Sequence, residues 1–223
     1  MSSHPEPNPS RPGPRPRFTR EQVLEAALRV IDRESPETFT MRRVADELGM
    51  GVMTLYGYVS NKEEILEGIT VLALADGQPE AELPAGGWEA QVRSDVGHLH
   101  DLCRRHPNLV ALVLGQTAAS PGLFRLRERL LGALLGAGFD RVTALHALGI
   151  LTSYALGFGG AQAGTAPIDL PDRIRELPAS EFPNLADAAD RYDVHLSDEA
   201  FEQGLEFILS GLRAKLPGSP RSG

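Results

Sequence analysis

The segment TMRRVADELGMGVMTLYGYVSNK, residues 40–62, restricts the possible folds more than any other part of the chain. Thr40 can cap a helix with an apolar face, and Gly49 can take the left-handed conformation that stops this helix. A second, very short helix is predicted over residues 52–59. Helices of under about ten residues are poorly stable alone. The segment therefore predicts two short helices, joined by a tight turn and held in place by their neighbours.

Apolar residues recur at helical spacing along most of the remaining chain. Thr19 and Gln22 form a capping box at the start of a helix predicted over residues 19–33. Further helices are predicted after Ser60, over residues 88–105, 108–117, 120–138 and 141–160, and after Ser197. The polar, Pro-rich stretch 166–184 is predicted to be a long loop. No segment shows the alternation of a strand, so the predicted class is all-α.

The segment RVTALHALGILTSYALGFGG, residues 141–160, is apolar nearly all round. A helix of this kind is expected to be buried on most sides. Three of its glycines, Gly157, Gly159 and Gly160, do not follow a strand, so we interpret them as sites of close helix packing and not as a phosphate cradle.

Composition excludes several classes of protein. The chain has 223 residues, of which 42% are hydrophobic, enough for a sizeable core in one or two domains. Neither a run of about 20 uninterrupted apolar residues nor an apolar signal core occurs, so we expect a cytoplasmic protein without a membrane partner. The single cysteine, Cys103, excludes an intrachain disulfide and a cysteine-clustered zinc site, and is interpreted as a small buried hydrophobe.

The net charge of −8 is unevenly distributed. Residues 1–62 contain nine Lys/Arg against eight Asp/Glu, whereas residues 63–223 contain thirteen against twenty-two. Because a protein binds phosphates with one local surface, the acidic total does not exclude a nucleic-acid partner. The basic, Pro-rich leader 1–17 is expected to be disordered when free. It can be a solvated tail or an arm that enters a minor groove.

Two helices joined by a glycine-containing turn, with the second at the surface, describe a helix-turn-helix, whose second helix lies in the major groove of DNA. On a helix that starts near Val52, Leu55 and Val59 fall on one side and can pack inward. The opposite side would then carry Met53, Thr54, Gly57 and Tyr58.

The stretch FTMRRVADELGMGVMTLYGYVSNKEEIL resembles the DNA-binding segment of the TetR family of bacterial transcriptional repressors. The shared features are the small Ala45, the turn glycine Gly49, the TLY triplet and Lys62. Gly87-Trp88, the stretch GFDRVTALHALGILTSYALGFGG and the closing FEQGLEFILSGLRAKL resemble the C-terminal domain of the tetracycline-repressor branch. The likeness covers residues 18–216.

The resemblance implies a leader at 1–17, a three-helix DNA-binding head at 18–64, a larger helical domain for effector binding and dimerisation at 65–216, and a disordered tail at 217–223. It also implies a homodimer built on the last long helices and an effector that moves the fourth helix. The two heads would then lose their register with a palindromic operator.

Carried over by residue, the family's DNA contacts fall on Thr40, Arg42, Val52, Met53, Thr54, Tyr56, Tyr58 and Lys62. The resemblance implies a base edge for Arg42, the phosphate backbone for Thr54, Tyr56 and Lys62, and backbone or base for Tyr58. Val52 and Met53 occupy positions where a base-reading polar residue can occur. They can offer only apolar contact, for instance to thymine methyl groups, so a different operator from that of the tetracycline repressors is expected.

Tetracycline-binding members hold a magnesium–drug chelate with a His, Asn, Gln, Thr, Arg and Glu set. Residues 113–116, the following TAAS and residues 157–162 supply no carboxylate here, so neither tetracycline nor a metal or other cofactor is expected. A largely apolar small-molecule effector is predicted. The candidate lining residues are His98, Leu102, Leu114, Gln116, Phe124, His146, Tyr154, Phe158 and Gln162.

Two other classes were weighed against a DNA-binding regulator. The run HLHD could indicate a metal-dependent hydrolase, but His98 and His100 are two residues apart on a helix and point to different faces. No Ser-His-Asp or Cys-His constellation has a supporting motif, so an enzyme is not expected. A helical dimeric adaptor without DNA binding is the remaining alternative.

Overall fold

Local capping explains where the first helices begin and end. The computed structural model describes residues 17–34, 38–75, 86–115, 121–163 and 170–216. Helix α1 (Arg20–Arg33) starts at the predicted capping box: the Thr19 hydroxyl accepts from the Gln22 amide at 3.2 Å, and the Gln22 side chain accepts from the Thr19 amide at 2.8 Å. Thr40 caps α2 (Met41–Glu47), and Gly49 has the predicted positive φ of 60°. The sequence predictions for both helices are confirmed.

The third helix is shorter than predicted. Helix α3 covers Val52–Leu55, and residues 56–58 form a turn in place of the expected continuation to residue 59. The backbone amides of Gly57 and Tyr58 reach carbonyls only three residues back, which is the tighter pattern of a helix end.

Five longer helices follow the short helix α3. They are α4 (Lys62–Ala75), α5 (Gly87–Arg105), α6 (Pro107–Gly115), α7 (Pro121–Gly136) and α8 (Arg141–Ala163). Helix α5 packs along α8 and α7, while α4 packs against α7 and, on its other side, α1. All elements of the described ranges are helices, which confirms the all-α class.

The predicted loop over residues 166–184 is wrong in its second part. Helix α9 (Leu170–Arg175) lies inside this stretch, a turn follows, and α10 (Pro183–Ala188) begins at its end and continues as a 3₁₀ helix over Ala189–Leu196. The Pro-rich composition suggested a loop, but proline is compatible with the first turn of a helix. Helix α11 (Asp198–Arg213) follows, with Ser197 as its predicted cap.

Helix α8 is buried on one face only, and not on most sides as predicted. Its buried residues are Ala144, Ala147, Leu151, Ala155 and Gly159. Val142, Leu145 and Ile150 are exposed on the outside. By length and composition alone α8 could cross a membrane, with a mean hydropathy of 1.3, but its inner face packs along α5 as a core helix does.

Of the three α8 glycines for which close packing is predicted, one has this role. A Cβ atom on Gly159 would lie 2.6 Å from Cβ of Cys103 and 3.1 Å from the carbonyl oxygen of His100 on α5. A Cβ atom on Gly157 or Gly160 would have no neighbour within 4 Å, so the prediction is wrong for these two. Cys103 is buried at this crossing, as predicted, and its burial raises the thiol pKa to about 12.

Candidate nucleic-acid interface and effector cavity

The short helix α3 is fixed from below by apolar side chains. Leu55 and Val59 are buried, as are Phe39, Val44 and Ala45. All five belong to one apolar cluster, so the predicted inward side of the turn region is confirmed. A four-residue helix obtains its stability from this packing and not from its own hydrogen bonds. The side chains on its opposite side are thereby held at defined positions.

The outer side of the head brings together five of the predicted DNA-contacting residues. Met53 is 84% exposed and Tyr56 is 45% exposed. Thr40, Arg42 and Thr54 are exposed as well. This surface, Thr40, Arg42, Met53, Thr54 and Tyr56, is called the reading face below. It combines the guanidinium of Arg42, three hydroxyl groups and the exposed thioether side chain of Met53.

Three of the predicted DNA-contacting residues are half-buried or bonded within the protein. Tyr58 was expected to point outward, but it is half-buried, and its hydroxyl accepts a 3.4 Å hydrogen bond from the Phe18 amide at the start of the fold. Lys62 donates to the Phe39 carbonyl at 2.9 Å and lies over the Phe39 ring. Val52 is half-buried against the core. These three side chains frame the reading face from its edges.

Ion pairs hold the helices of the head in a fixed arrangement. Arg20 on α1 lies 3.1 Å from Glu64 on α4, and Arg29 lies 3.4 Å from Glu47 on α2. The amide of Ser60 donates to Glu64, and this bond together with Arg20 lowers the pKa of the Glu64 carboxyl. Since such exposed pairs contribute little stability each, their main effect is on orientation.

A small apolar cavity lies among α4, α5, α6, α7 and α8. It has a volume of about 70 Å³. Its lining consists of Thr70, Leu99, Leu102, Leu109, Val110, Leu123, Leu126, Arg127, Thr152 and Leu156. Thr70 and Thr152 donate their hydroxyl protons to carbonyls of their own helices. Among the described lining residues, Arg127 is the only one with a charged side chain. The cavity therefore suits an apolar molecule with few polar groups.

Of the nine residues predicted to bind an effector, the structure places only Leu102 on this cavity. His98 contacts the Leu74 carbonyl on α4 at 2.7 Å, and Phe124 is exposed on α7. Gln116 and the side chain of Leu114 lie outside the described part of the chain. Most of the described residues that line the cavity are leucines and valines, which the sequence could not separate from ordinary core.

Tyr154, Phe158 and Gln162 meet elsewhere, at the junction of α5, α8 and α11. Tyr154 donates to the Phe201 carbonyl at 2.8 Å. His100 stacks on the Phe201 ring at 3.7 Å between centroids and contacts the Gln162 oxygen at 2.6 Å. This polar and aromatic cluster ties the end of α8 to α11.

His98 and His100 point to different neighbours, as predicted, and the described residues contain no group of metal-binding side chains.

His146 lies in a second groove, between α8 and α11. Ile150, Phe207 and Lys215 line the same groove, and Phe207 is 69% exposed. The outside of the two last long helices carries an apolar face. Its exposed apolar residues are Val142, Leu145, Ile150 and Phe207. A face of this kind is typical of a contact with another protein surface.

Comparisons with known proteins agree on one class. A family model described as bacterial regulatory proteins of the tetR family matches residues 23–69, and one described as the tetracyclin repressor-like C-terminal domain matches residues 79–216. The chain is 30% identical over 216 residues to the HTH-type transcriptional repressor DrrR1 of Streptomyces coeruleorubidus, covering 94% of this chain and 80% of DrrR1.

Two solved structures of ActR from Streptomyces coelicolor have a similar fold and are 29% identical in sequence. Apo ActR superposes with a TM-score of 0.72 over 89% of this chain and 96% of ActR. ActR in complex with actinorhodin superposes with a TM-score of 0.69 over 88% and 97%.

Proposed function

Because this chain belongs to the TetR family of bacterial regulatory proteins, we propose that it is a DNA-binding repressor that a small, largely apolar effector releases from a palindromic operator. The observation that carries the proposal is the reading face. Met53 and Thr54 are exposed on a four-residue helix that the buried Leu55 anchors to the core, and Thr40, Arg42 and Tyr56 are exposed beside it. Such a helix has the position and the chemistry to enter a major groove.

Within the reading face we assign roles by chemistry. Arg42 can donate two hydrogen bonds to a guanine edge, whereas Met53 can contact only apolar base features. Thr40, Thr54 and Tyr56 can donate to phosphate oxygens and set the orientation of the head. Tyr58 and Val52 support the face from its edge. Lys62 brings its positive charge to the same edge while it is hydrogen bonded to Phe39.

Gel retardation of the protein's own upstream DNA tests the reading face. We expect Arg42→Ala and Tyr56→Ala to weaken binding at least tenfold, and Arg42→Ala also to reduce the slope of affinity against salt. Arg141→Ala is the matched control, since Arg141 is an exposed arginine at the start of α8. Equal affinity of all three variants, each folded as judged by thermal melting, would contradict the assignment.

The protein acts as a homodimer, the state of this family. We propose that the apolar face of α8 and α11 forms the dimer contact, with Val142, Ile150 and Phe207 in its centre. Phe207→Glu is expected to raise the monomer fraction in sedimentation experiments. Since one head alone loses half of a palindrome's contacts, the variant should also bind operator at least a hundredfold more weakly.

The cavity that contains Leu102 is the proposed effector site. Actinorhodin is the first compound to test, because ActR, which is crystallised with it, is similar over 88% of this chain. Binding to the folded state would raise the melting temperature, and operator release would follow in the same concentration range. Leu102→Phe should reduce both effects, whereas stabilisation that persists unchanged in this variant would place the ligand elsewhere.

The domain limits follow from the same division of roles. We propose that residues 18–64 form the DNA-binding head and residues 65–216 the effector and dimer domain, with α4 crossing the boundary.

A regulator of this kind acts in the cytoplasm, where its operator is. We also propose that the protein has no catalytic activity, because His98 and His100 face different partners and neither faces the cavity.

A further inference from the structure

Two side chains at the turn between α5 and α6 hold the end of α1. Nδ1 of His106 lies 2.9 and 3.0 Å from the carboxylate oxygens of Asp32. The Asn108 amide donates to the carbonyl oxygens of Ile31 at 3.0 Å and Glu34 at 2.8 Å. The His106 side chain is largely shielded from water, with 13% exposed, whereas 31% of the Asp32 side chain is exposed. The three residues Asp32, His106 and Asn108 are called the α1 clamp.

The contacts of the clamp are directional. The last carbonyl groups of a helix have no partner within the helix, and at α1 the Asn108 side chain supplies one. A hydrogen bond weakens steeply when its angle changes, unlike an apolar contact, which tolerates sliding. The end of α1 must therefore follow the α5–α6 turn closely when that turn moves.

The residues that follow the clamp on α6 line the effector cavity. Leu109 and Val110 are buried and face it. Residues 106–110 thus contact the head on one side and the cavity on the other, within little more than one helical turn. The cavity volume of about 70 Å³ is far below the roughly 300–1,000 Å³ of sites for drug-sized molecules. An effector of that size has to displace part of the lining.

We infer that the α1 clamp transmits occupancy of the cavity to the reading head through α6 and α1. This inference rests on the proposed function and adds a second connection to the movement of α4 that the family resemblance implies. Displacement of Leu109 and Val110 shifts the start of α6, the clamp pulls the end of α1, and the head turns away from its half-site. Asp32, His106 and Asn108 are positioning residues, which touch neither DNA nor ligand.

A cavity-filling substitution tests the inference without a known effector. Leu156→Trp adds a large side chain to the cavity from α8, a helix that is not part of the clamp. With the clamp intact, we expect this substitution to weaken operator binding about tenfold, within the usual range of coupling between two sites. In the background His106→Ala/Asn108→Ala, the same substitution should weaken binding less than threefold.

Arg104→Ala is the matched control. Arg104 lies two residues before His106 and pairs with Asp198 at 2.8 Å, so its removal breaks an exposed ion pair of the effector domain and leaves the clamp intact. The tenfold effect of Leu156→Trp should persist in this background. If the double alanine background does not fold, Asp32→Ala removes only the partner of His106 and is expected to give a smaller reduction in the same direction.

The outcomes separate the two proposals. A protein without any specific operator binding would refute the proposed function. Specific binding that Leu156→Trp weakens equally with and without the clamp would refute the inference alone, and so would a folded Leu156→Trp dimer with unchanged operator affinity. A general loss of stability lowers the melting temperature but does not change the ratio of affinities that defines the coupling.

Discussion

Met53 gives the reading face an almost bare apolar side chain, and this predicts a specific dependence on DNA chemistry. In the major groove, the 5-methyl group of thymine is the apolar feature that a methionine can contact. Replacing thymine by uracil removes this methyl group and keeps every hydrogen-bonding group of the base pair. We predict that uracil at the contacted position weakens binding by the native protein but not by Met53→Ala.

The magnitude follows from the area that the contact removes from water. Met53 is 84% exposed, so nearly all of its side chain is available to the base. One buried methyl-sized group contributes about 0.8 kcal/mol, which corresponds to about a fourfold change in affinity. A symmetric dimer places one Met53 in each half-site, so substitution in both half-sites should weaken binding about fifteenfold.

The assay is a double-mutant cycle with one partner in the protein and the other in the DNA. Footprinting defines the operator, and each thymine of one half-site is replaced by uracil in turn, together with its symmetry mate. Fluorescence anisotropy then gives the dissociation constants for the native protein and for Met53→Ala. The interaction energy of the cycle isolates the contact from general effects of either change.

Two results would refute this interpretation of Met53. If no uracil substitution weakens the native complex, Met53 does not contact a thymine methyl group. If the same substitution weakens both proteins equally, the methyl group is contacted by another residue. Arg42→Ala serves as the control variant, because loss of a guanine or phosphate contact should weaken binding to the thymine and uracil operators by the same factor.

Three further predictions concern stability and reactivity. Gly159→Ala should lower the free energy of unfolding in urea by about 1–3 kcal/mol, because its Cβ atom would overlap α5. Gly160→Ala, with open space around it, should leave this free energy unchanged or raise it by up to about 1 kcal/mol, and equal effects would contradict the close approach. The Cys103 thiol, with a pKa raised by burial to about 12, should react with a disulfide reagent only as fast as the protein unfolds, so rapid labelling of the native dimer would contradict its burial. Hydrogen bonds from Arg213, and then from Arg93, lower the pKa of Glu206 from 4.5 to about 2. Its ionised form therefore stabilises the fold fully above pH 4.5 and progressively less as the pH falls toward 2. Glu206→Gln should remove this part of the acid dependence, and an unchanged pH profile of unfolding would argue against it.

Features that depend on a few neighbouring residues could be predicted from the sequence. The helix caps at Thr19, Thr40 and Ser197 each accept a hydrogen bond from an amide three residues further along. Both partners of each bond are therefore visible in a short stretch of sequence. Tyr58 shows the opposite case. Its hydroxyl contacts the Phe18 amide, 40 residues away, and only the packing of the helices within the head brings the two together.

The lining of the cavity that contains Leu102 was harder to predict for a related reason. Its lining comes from five helices, and leucines such as Leu109 and Leu126 are also what any helical core contains. The sequence search therefore favoured unusual residues such as His146 and Gln162, which the structure uses to join helices or places in the outer groove. Polar residues in apolar segments indicated long-range packing contacts here more often than cavity contacts.

The predicted burial of helix α8 is wrong for the single chain but agrees with the proposed dimer contact. Its sequence is apolar nearly all round, which predicts burial on most sides. A single chain covers only the face of Ala147, Leu151 and Gly159, and leaves Val142 and Ile150 in water. Evolution does not keep so large an apolar face uncovered without an interaction. In the proposed dimer contact the second copy would cover this face, so the hydrophobic pattern of α8 would match burial in the dimer, whereas the burial of one chain follows only the inner face.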